Sequence, residues 1–340
     1  MKIAIVTMVK DSISFLPEFI THYEKLADTI FVVDHNSQYD LGRIHSSKIK
    51  FIRADLYTYF QEECTNLIID HFKIRDEFDW LFVLDVDEFL PFYKREKLEN
   101  LLRSYAKDKV LSYSWKNGLA VDETLKANSD GIIDSSNLIF YERKSRTVKS
   151  AVNIKAIKGN FFVPRSAHNI AYYKKPLWHR LLRGDGVKFY KSQIIEQPLF
   201  HIVSLGKEDF EEKIKNFKKM RKMMDGVNGI GGSLIYSYPE TYSFNELLRY
   251  VANYRVGNIK DHFQATRENF QNSFNFNHLD KDRVKALRER FLSKKSETVE
   301  TPSEIEKKYL GAKKAENNFY KNQKWFSVTN NREVIISEPE

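Results

Sequence analysis

The chain has 340 residues, 42% hydrophobic and 14% aromatic, which excludes a disordered polymer and suffices for one large or two modest domains. Lysine and arginine outnumber the acids 55 to 46, a formal charge of +9, so anionic partners are favoured: nucleic acid, phospholipid or a phosphorylated small molecule. The single cysteine, Cys64, excludes a disulfide framework and a cysteine-rich zinc site, and it points to a reducing, cytoplasmic setting.

The first apolar run, Ile3 to Val9, is short, interrupted by Thr7 and followed by Lys10-Asp11 with no small-residue cleavage site. It reads as a buried strand rather than a signal peptide. No apolar stretch reaches the roughly 20 residues that span a bilayer, so the expectation is a soluble chain or one attached to a membrane from one side. Thr29–Val33, Lys50–Arg53 and Trp80–Leu84 read as further strands, each rich in Ile, Val, Phe or Leu. Between the first two strands Leu16, Phe19, Ile20, Tyr23 and Ala27 fall at helical spacing, introduced by Ser14 with Pro17 in the first turn. Cys64, Leu67, Ile68 and Phe72 form a second helical face. This alternation predicts an α/β fold with a mostly parallel sheet, in which ligands bind at the carboxyl ends of the strands.

Val110–Trp115, Leu138–Tyr141 and Val152–Ile157 are shorter strand-like pieces. After Ser204 the pattern turns mainly helical, over 207–225, 281–293 and 303–316, with a capping box at Ser243–Glu246. Gly226–Gly232 lacks the Lys-Ser/Thr of a phosphate loop and reads as a linker. The last twenty residues read as a loosely held polar tail. The expected organisation is a catalytic domain over 1–205 and a mainly helical region over 206–340.

The most informative stretch is Trp80 to Phe89, where an apolar strand runs into Asp85-Val86-Asp87-Glu88. In an extended backbone Asp85 and Asp87 present both carboxylates to one side, and such a pair calls for a cation between them. Mn²⁺ or Mg²⁺ suits oxygen ligands and completes its shell with phosphate oxygens and water. The bland alternative is a strand that ends in solvated acids.

Val33-Asp34-His35-Asn36-Ser37, with Asp85-Val86-Asp87-Glu88-Phe89 about fifty residues later, resembles the nucleotide-sugar-binding half of a glycosyltransferase family 2-like enzyme with the GT-A fold. The branch that it most resembles carries a Lys-Asn-Glu-like turn and an "FLPEWI-x-H" helix, matched here by Lys10-Asp11 and Phe15 to His22. Gln61 to Cys64, Trp80, Trp115 to Gly118, Phe200-His201, Ser204 and Phe210 to Lys213 extend the match over roughly residues 1–215. The resemblance implies a GT-A type mixed sheet with covering helices. It places Thr7, Asp34 and Asp85 beside the nucleotide, and Asp85, Asp87 and His201 at the metal, with Glu88 in support. His201 has a plain alternative as a structural histidine between Phe200 and Ile202. His35 departs from the pattern, standing where many family 2 enzymes carry a second acid, and this bears on the choice of base.

The implied reaction moves a sugar from a nucleotide diphosphate sugar, UDP-linked, to a glycan or lipid-linked glycan acceptor in bacterial surface polysaccharide, lipopolysaccharide or capsule synthesis. An inverting transfer needs a carboxylate base. Asp185, in Arg-Gly-Asp-Gly, and Asp122 and Glu123, after the Trp115–Gly118 segment, are the candidates, while His168 and His179 are candidates for contact with phosphate or acceptor. Lys213 to Lys222 holds six basic residues and no acid, with Phe210, Ile214, Phe217, Met220 and Met224 at helical spacing; 281–295 adds seven basic against two acidic residues. These segments are candidates for an anionic membrane surface on the cytoplasmic side. A metal-dependent phosphohydrolase or nucleotidyltransferase, and a non-catalytic nucleotide-sugar or nucleic-acid-binding protein, are the alternatives. The aromatics lie at core spacing and no nucleic-acid signature accompanies them, so no nucleic-acid partner is expected.

Overall fold

The computed structural model describes residues 1–43, 46–120, 133, 135–164, 167–173, 187–206, 210–211, 213–215, 243–253, 266–316 and 324–339. Strand β1 (Ile3–Val9) sends Ile3, Ile5 and Val9 to one hydrophobic core and Ala4, Val6 and Met8 to another, as a strand covered on both faces must. Helix α1 (Leu16–Tyr23) starts after Phe15 with no side-chain cap, so Ser14 does not introduce it; Pro17 does sit in the first turn, where its missing N–H costs nothing. There follow β2 (Thr29–His35), β3 (Ile49–Ala54), α2 (Gln61–His71), α3 (Ile74–Glu77), β4 (Trp80–Val83), β5 (Glu88–Phe89), α4 (Arg95–Ser104) and β6 (Val110–Ala120). Next come β7 (Leu138–Tyr141), β8 (Val148–Asn153), β9 (Ala171–Tyr173), β10 (Val187–Phe189) and β11 (Gln193–Ser204). The remainder holds α5 (Phe244–Asn253), β12 (Phe270–Gln271), α6 (Lys281–Leu292), α7 (Glu304–Glu316), β13 (Phe326–Thr329) and β14 (Glu333–Ile336).

The described strands form a mixed 12-stranded sheet in the order β12-β7-β6-β8-β4-β1-β2-β3-β14-β13, with β11 beside β6 and β5 beside β11; β9 and β10 pair separately. Strands β1, β2, β3 and β4 are mutually parallel, whereas β8 runs antiparallel to both β4 and β6. The chain builds from β1 through β2 to β3, then returns to lay β4 on the other side of β1. The crevice between the carboxyl ends of β1 and β4 is therefore the switch point at which such sheets bind ligands. Helices α1, α4 and α6 cover one face, and α2, α3 and α7 the other.

Two expectations need correction. The strand expected at Val152–Ile157 lies instead at Val148–Asn153, because the Asn153 side chain accepts the Ala156 N–H and winds Ile154–Ala156 into a 3₁₀ turn. The polar tail is held: β13 and β14 form a hairpin, and β14 extends the sheet beside β3 with Val334 buried. The described residues beyond 206 thus add β12, β13 and β14 to the main sheet as well as helices. The capping box forms as expected, with Ser243 N–H on Glu246 Oε2 at 2.8 Å and Glu246 N–H on Ser243 Oγ at 3.3 Å. Residues 216–242, with the Gly226–Gly232 segment and most of the Lys213–Met224 stripe, lie outside the described residues. Among the described residues no helix is long and apolar enough to cross a membrane.

Candidate active site at the acidic turn

Strand β4 stops at Val83, and Glu88 N–H closes a turn on the Asp85 carbonyl at 3.0 Å. Asp85 and Asp87 therefore do not share the side of an extended strand. The turn hands each carboxylate to a different set of partners. Asp85 Oδ1 accepts from Gln61 Nε2 at 3.1 Å and Oδ2 from Lys149 Nζ at 2.7 Å. Asp87 Oδ2 accepts from Lys213 Nζ at 3.1 Å and stands 3.7 Å from His201 Nε2.

His201 reaches the turn because β11 pairs with β5 on one side, setting His201 opposite Glu88, and with β6 on the other, setting His201 opposite Asn117. The Ile202 N–H bonds the Asp87 carbonyl at 2.9 Å and locks that register. His201 Nδ1 lies 2.9 Å from Asn117 Oδ1, an atom that only accepts, so Nδ1–H points to Asn117 and Nε2 faces Asp87. The Trp115 ring lies against the imidazole, centroids 4.2 Å apart. The His168 ring meets Trp115 edge-on with centroids 5.5 Å apart, its Nδ1–H on the Val148 carbonyl.

The electrostatics divide the cluster. Burial pushes the Asp87 carboxyl up, but the Lys213 ammonium and the His201 ring outweigh it and hold the group well below the usual carboxylate range. Burial pushes Glu88 well above its ordinary value, with Asp85 and Asp87 adding to the rise and Lys149 opposing it. Glu88 Oε2 accepts the Asp85 N–H at 2.8 Å, while Oε1 is buried without a partner. Burial disfavours the Lys149 ammonium, yet Asp85 and Glu88 overcome that and keep it a cation although it is 1% exposed. Asp85 and Asp87 thus each face an ammonium group, Lys149 and Lys213 respectively.

At the carboxyl end of β1, Thr7 Oγ1 is buried without a hydrogen-bond partner. Asp34, ending β2, takes Arg53 Nη1 at 2.7 Å and the Ser37 N–H at 3.2 Å; burial raises its carboxyl, and Arg53 acts against the rise. His35 turns away to bond the Thr58 carbonyl at 2.8 Å. The fold thus places Asp85, Asp87 and His201 about one turn, and Thr7 at the neighbouring strand end. Asp122, Glu123, Asp185 and His179 lie outside the described residues. Sequence reasoning missed the roles of Lys149, Asn117 and Gln61. No local signal marked Lys149, which fell outside the strand expected at Val152–Ile157; only its burial in the folded chain shows that it requires a partner.

Among the described residues no group of three or more His, Cys, Asp and Glu side chains converges as a metal cage. The donor set nevertheless fits a hard divalent ion of the kind that takes one or two protein ligands and fills its shell with phosphate and water. Two donors on one such ion stand about 3–4 Å apart, as Asp87 Oδ2 and His201 Nε2 do. The Nδ1–H bond to Asn117 is the outer contact that a ligating histidine requires.

A sheet that converges acids, a histidine and two lysines on its switch point suits an enzyme of group transfer, and comparison specifies the class. The glycosyltransferase family 92 model matches residues 17–225, so the chain is a glycosyltransferase. It belongs to glycosyltransferase family 92. The resemblance drawn from the sequence holds at the level of glycosyltransferase; the family matched is 92 rather than 2. No curated protein sequence matches the chain. Similar solved structures include S. aureus TarS residues 1–349, at 12% identity and a TM-score of 0.34, covering 100% of this chain and 97% of that one. Mannose-6-phosphate isomerase from Helicobacter pylori is similar at 14% identity and a TM-score of 0.24, covering 60% and 98%.

Proposed function

We propose that the chain is a GT-A type glycosyltransferase that moves a sugar from a UDP-sugar to a glycan or lipid-linked glycan, with Mn²⁺ or Mg²⁺ held by Asp87 and His201. The observation that carries this reading is the Asp87–His201 pair at the switch point, its imidazole oriented by Asn117. Bound there, the ion neutralises charge on the leaving diphosphate. Asp87 serves as a permanently ionised oxygen donor. Asp85, clamped by Lys149 and Gln61, orients the turn and borders the nucleotide. Thr7 Oγ1 offers a hydroxyl and Asp34 a carboxylate to the nucleoside. In an inverting transfer the acceptor proton passes to Asp122, Glu123 or Asp185. Synthesis of a bacterial surface polysaccharide, lipopolysaccharide or capsule, at the anionic inner face of the membrane, belongs to the same proposal.

Calorimetry with UDP tests it. Affinity in Mn²⁺ is expected to exceed that in EDTA by at least about tenfold, the worth of one charge-assisted contact, and Asp87→Asn is expected to erase the difference. Equal affinity with and without metal in the unaltered protein overturns the metal role.

A further inference from the structure

Resting on that reading, we propose that Lys213 is a displaceable cation: its ammonium competes with the divalent ion for Asp87 and, once displaced, bonds the donor diphosphate. The competition follows from a shared atom. Lys213 Nζ and His201 Nε2 both face Asp87 Oδ2, at 3.1 and 3.7 Å, so an ion ligated by Asp87 Oδ2 and His201 Nε2 competes with the ammonium for one oxygen. An ammonium and a dication repel, and only the ammonium can leave.

The two lysines of the cluster differ in freedom. Lys149 is sealed in, 1% exposed and bonded to Asp85 with Glu88 3.5 Å away, so it is a fixed countercharge. The Lys213 side chain is 32% exposed, with a route toward solvent and toward a ligand entering from it. It also bonds the Val203 carbonyl at 3.2 Å, an acceptor on β11 that tethers the ammonium near the turn when it releases Asp87. Gly206, at φ +148°, turns the chain after β11; Ser204 Oγ accepts the Gly206 N–H at 3.0 Å; Phe210 and Ile214 are buried in a core with Val251 of α5.

Charge balance supplies the coupling. While Lys213 sits on Asp87, each acid of the turn already has an ammonium partner and offers a lone dication less attraction than a carboxylate without one. A nucleoside diphosphate arriving with the ion brings the negative charge that both cations need. Lys213 therefore opposes binding of the bare ion and favours binding of the ion with its diphosphate, two effects of opposite sign on one side chain.

The test uses the full chain, with Mn²⁺ binding followed by electron paramagnetic resonance without nucleotide, and UDP binding followed by calorimetry in saturating Mn²⁺ and in EDTA. Lys213→Met, which keeps the length of the stem, is expected to bind bare Mn²⁺ about tenfold more tightly and UDP about tenfold more weakly. Lys213→Arg is expected to hold UDP within about threefold of the unaltered protein, since a guanidinium also bonds phosphate. Circular dichroism establishes that both variants are folded. Unchanged or weaker Mn²⁺ binding in Lys213→Met, or unchanged UDP affinity, overturns the proposal. If the unaltered protein binds UDP equally in Mn²⁺ and EDTA, the metal reading fails and takes this one with it. If it requires Mn²⁺ and Lys213→Met matches it, only the role of Lys213 fails.

Discussion

His35 is buried beside Asp34, with Nε2–H on the Thr58 carbonyl and Nδ1 without a partner. Burial lowers its pKa from 6.5 to about 4, Thr58 opposing the shift and Lys10 and Arg53 adding to it. A histidine depressed in the folded state contributes stability that is present above pH 6.5 and lost as pH falls toward 4, because the unfolded chain then binds the extra proton. The contribution is about 3 kcal/mol at most. Glu18 works with the opposite sign. Burial lifts it to about 7 against the pull of Arg288, whose Nη2 bonds it at 2.5 Å, so its contribution is lost as pH rises from 4.5 to 7. The two slopes overlap between pH 4.5 and 6.5, and a variant of one isolates the other. His35→Gln is therefore expected to uncover the Glu18 slope, so that stability measured by urea unfolding falls more steeply from pH 4.5 to pH 7 than in the unaltered protein. An unchanged slope would show that His35 is not held neutral by the fold.

Strand β6 is where packing reaches the site most directly. A Cβ on Gly118 would meet the Phe140 ring at 2.4 Å and the Ile139 carbonyl oxygen at 3.0 Å. The Phe140 ring packs against Phe200, the neighbour of His201 on β11, with centroids 5.0 Å apart. Gly118→Val is thus expected to destabilise the protein by about 1–3 kcal/mol, the usual cost of overpacking, and to weaken UDP binding in Mn²⁺. Phe140→Leu in the same chain should recover part of both losses, read as a coupling energy in a double-mutant cycle. Additive effects would place the strain elsewhere. At this scale the sequence was legible where apolar periodicity is strong: β1, β2, β3, β4, β7, α6 and α7 lie within a few residues of expectation. It was not legible at β8, where a side-chain bond from Asn153 ends a strand that Ile154 and Ile157 appear to continue.

The described C-terminal residues pack onto the first strands and helices of the sheet. Asn36 exchanges two hydrogen bonds with the Val299 backbone, at 2.9 and 2.7 Å, and Arg53 Nη2 bonds the Glu297 carbonyl at 2.9 Å. Arg288 of α6 reaches buried Glu18 of α1, while Tyr309 of α7 bonds Glu63 of α2 at 2.5 Å. Shared cores of this kind unfold together. Thermal unfolding is accordingly expected to show one transition, coincident by tryptophan fluorescence and far-ultraviolet circular dichroism. Two separated transitions would show that the chain unfolds as two units, as a division near residue 205 requires.

The sequence alone determined the α/β alternation and the place of the acidic run after β4, because period-2 and helical apolar spacing and a run of acids are local properties of the chain. The glycosyltransferase class came through the resemblance of its motifs to a known family, and the turn that separates Asp85 from Asp87 was not legible in them. Tertiary structure decided which charges meet. Lys149 finds Asp85 across 64 residues and Lys213 finds Asp87 across 126, and His201 gains its orientation from Asn117, 84 residues earlier. Those pairings depend on strand order and register, and above all on β11 settling between β5 and β6, which no local pattern encodes. The capture of the tail by β3 has the same origin: an unpaired sheet edge binds whatever strand the rest of the fold delivers to it.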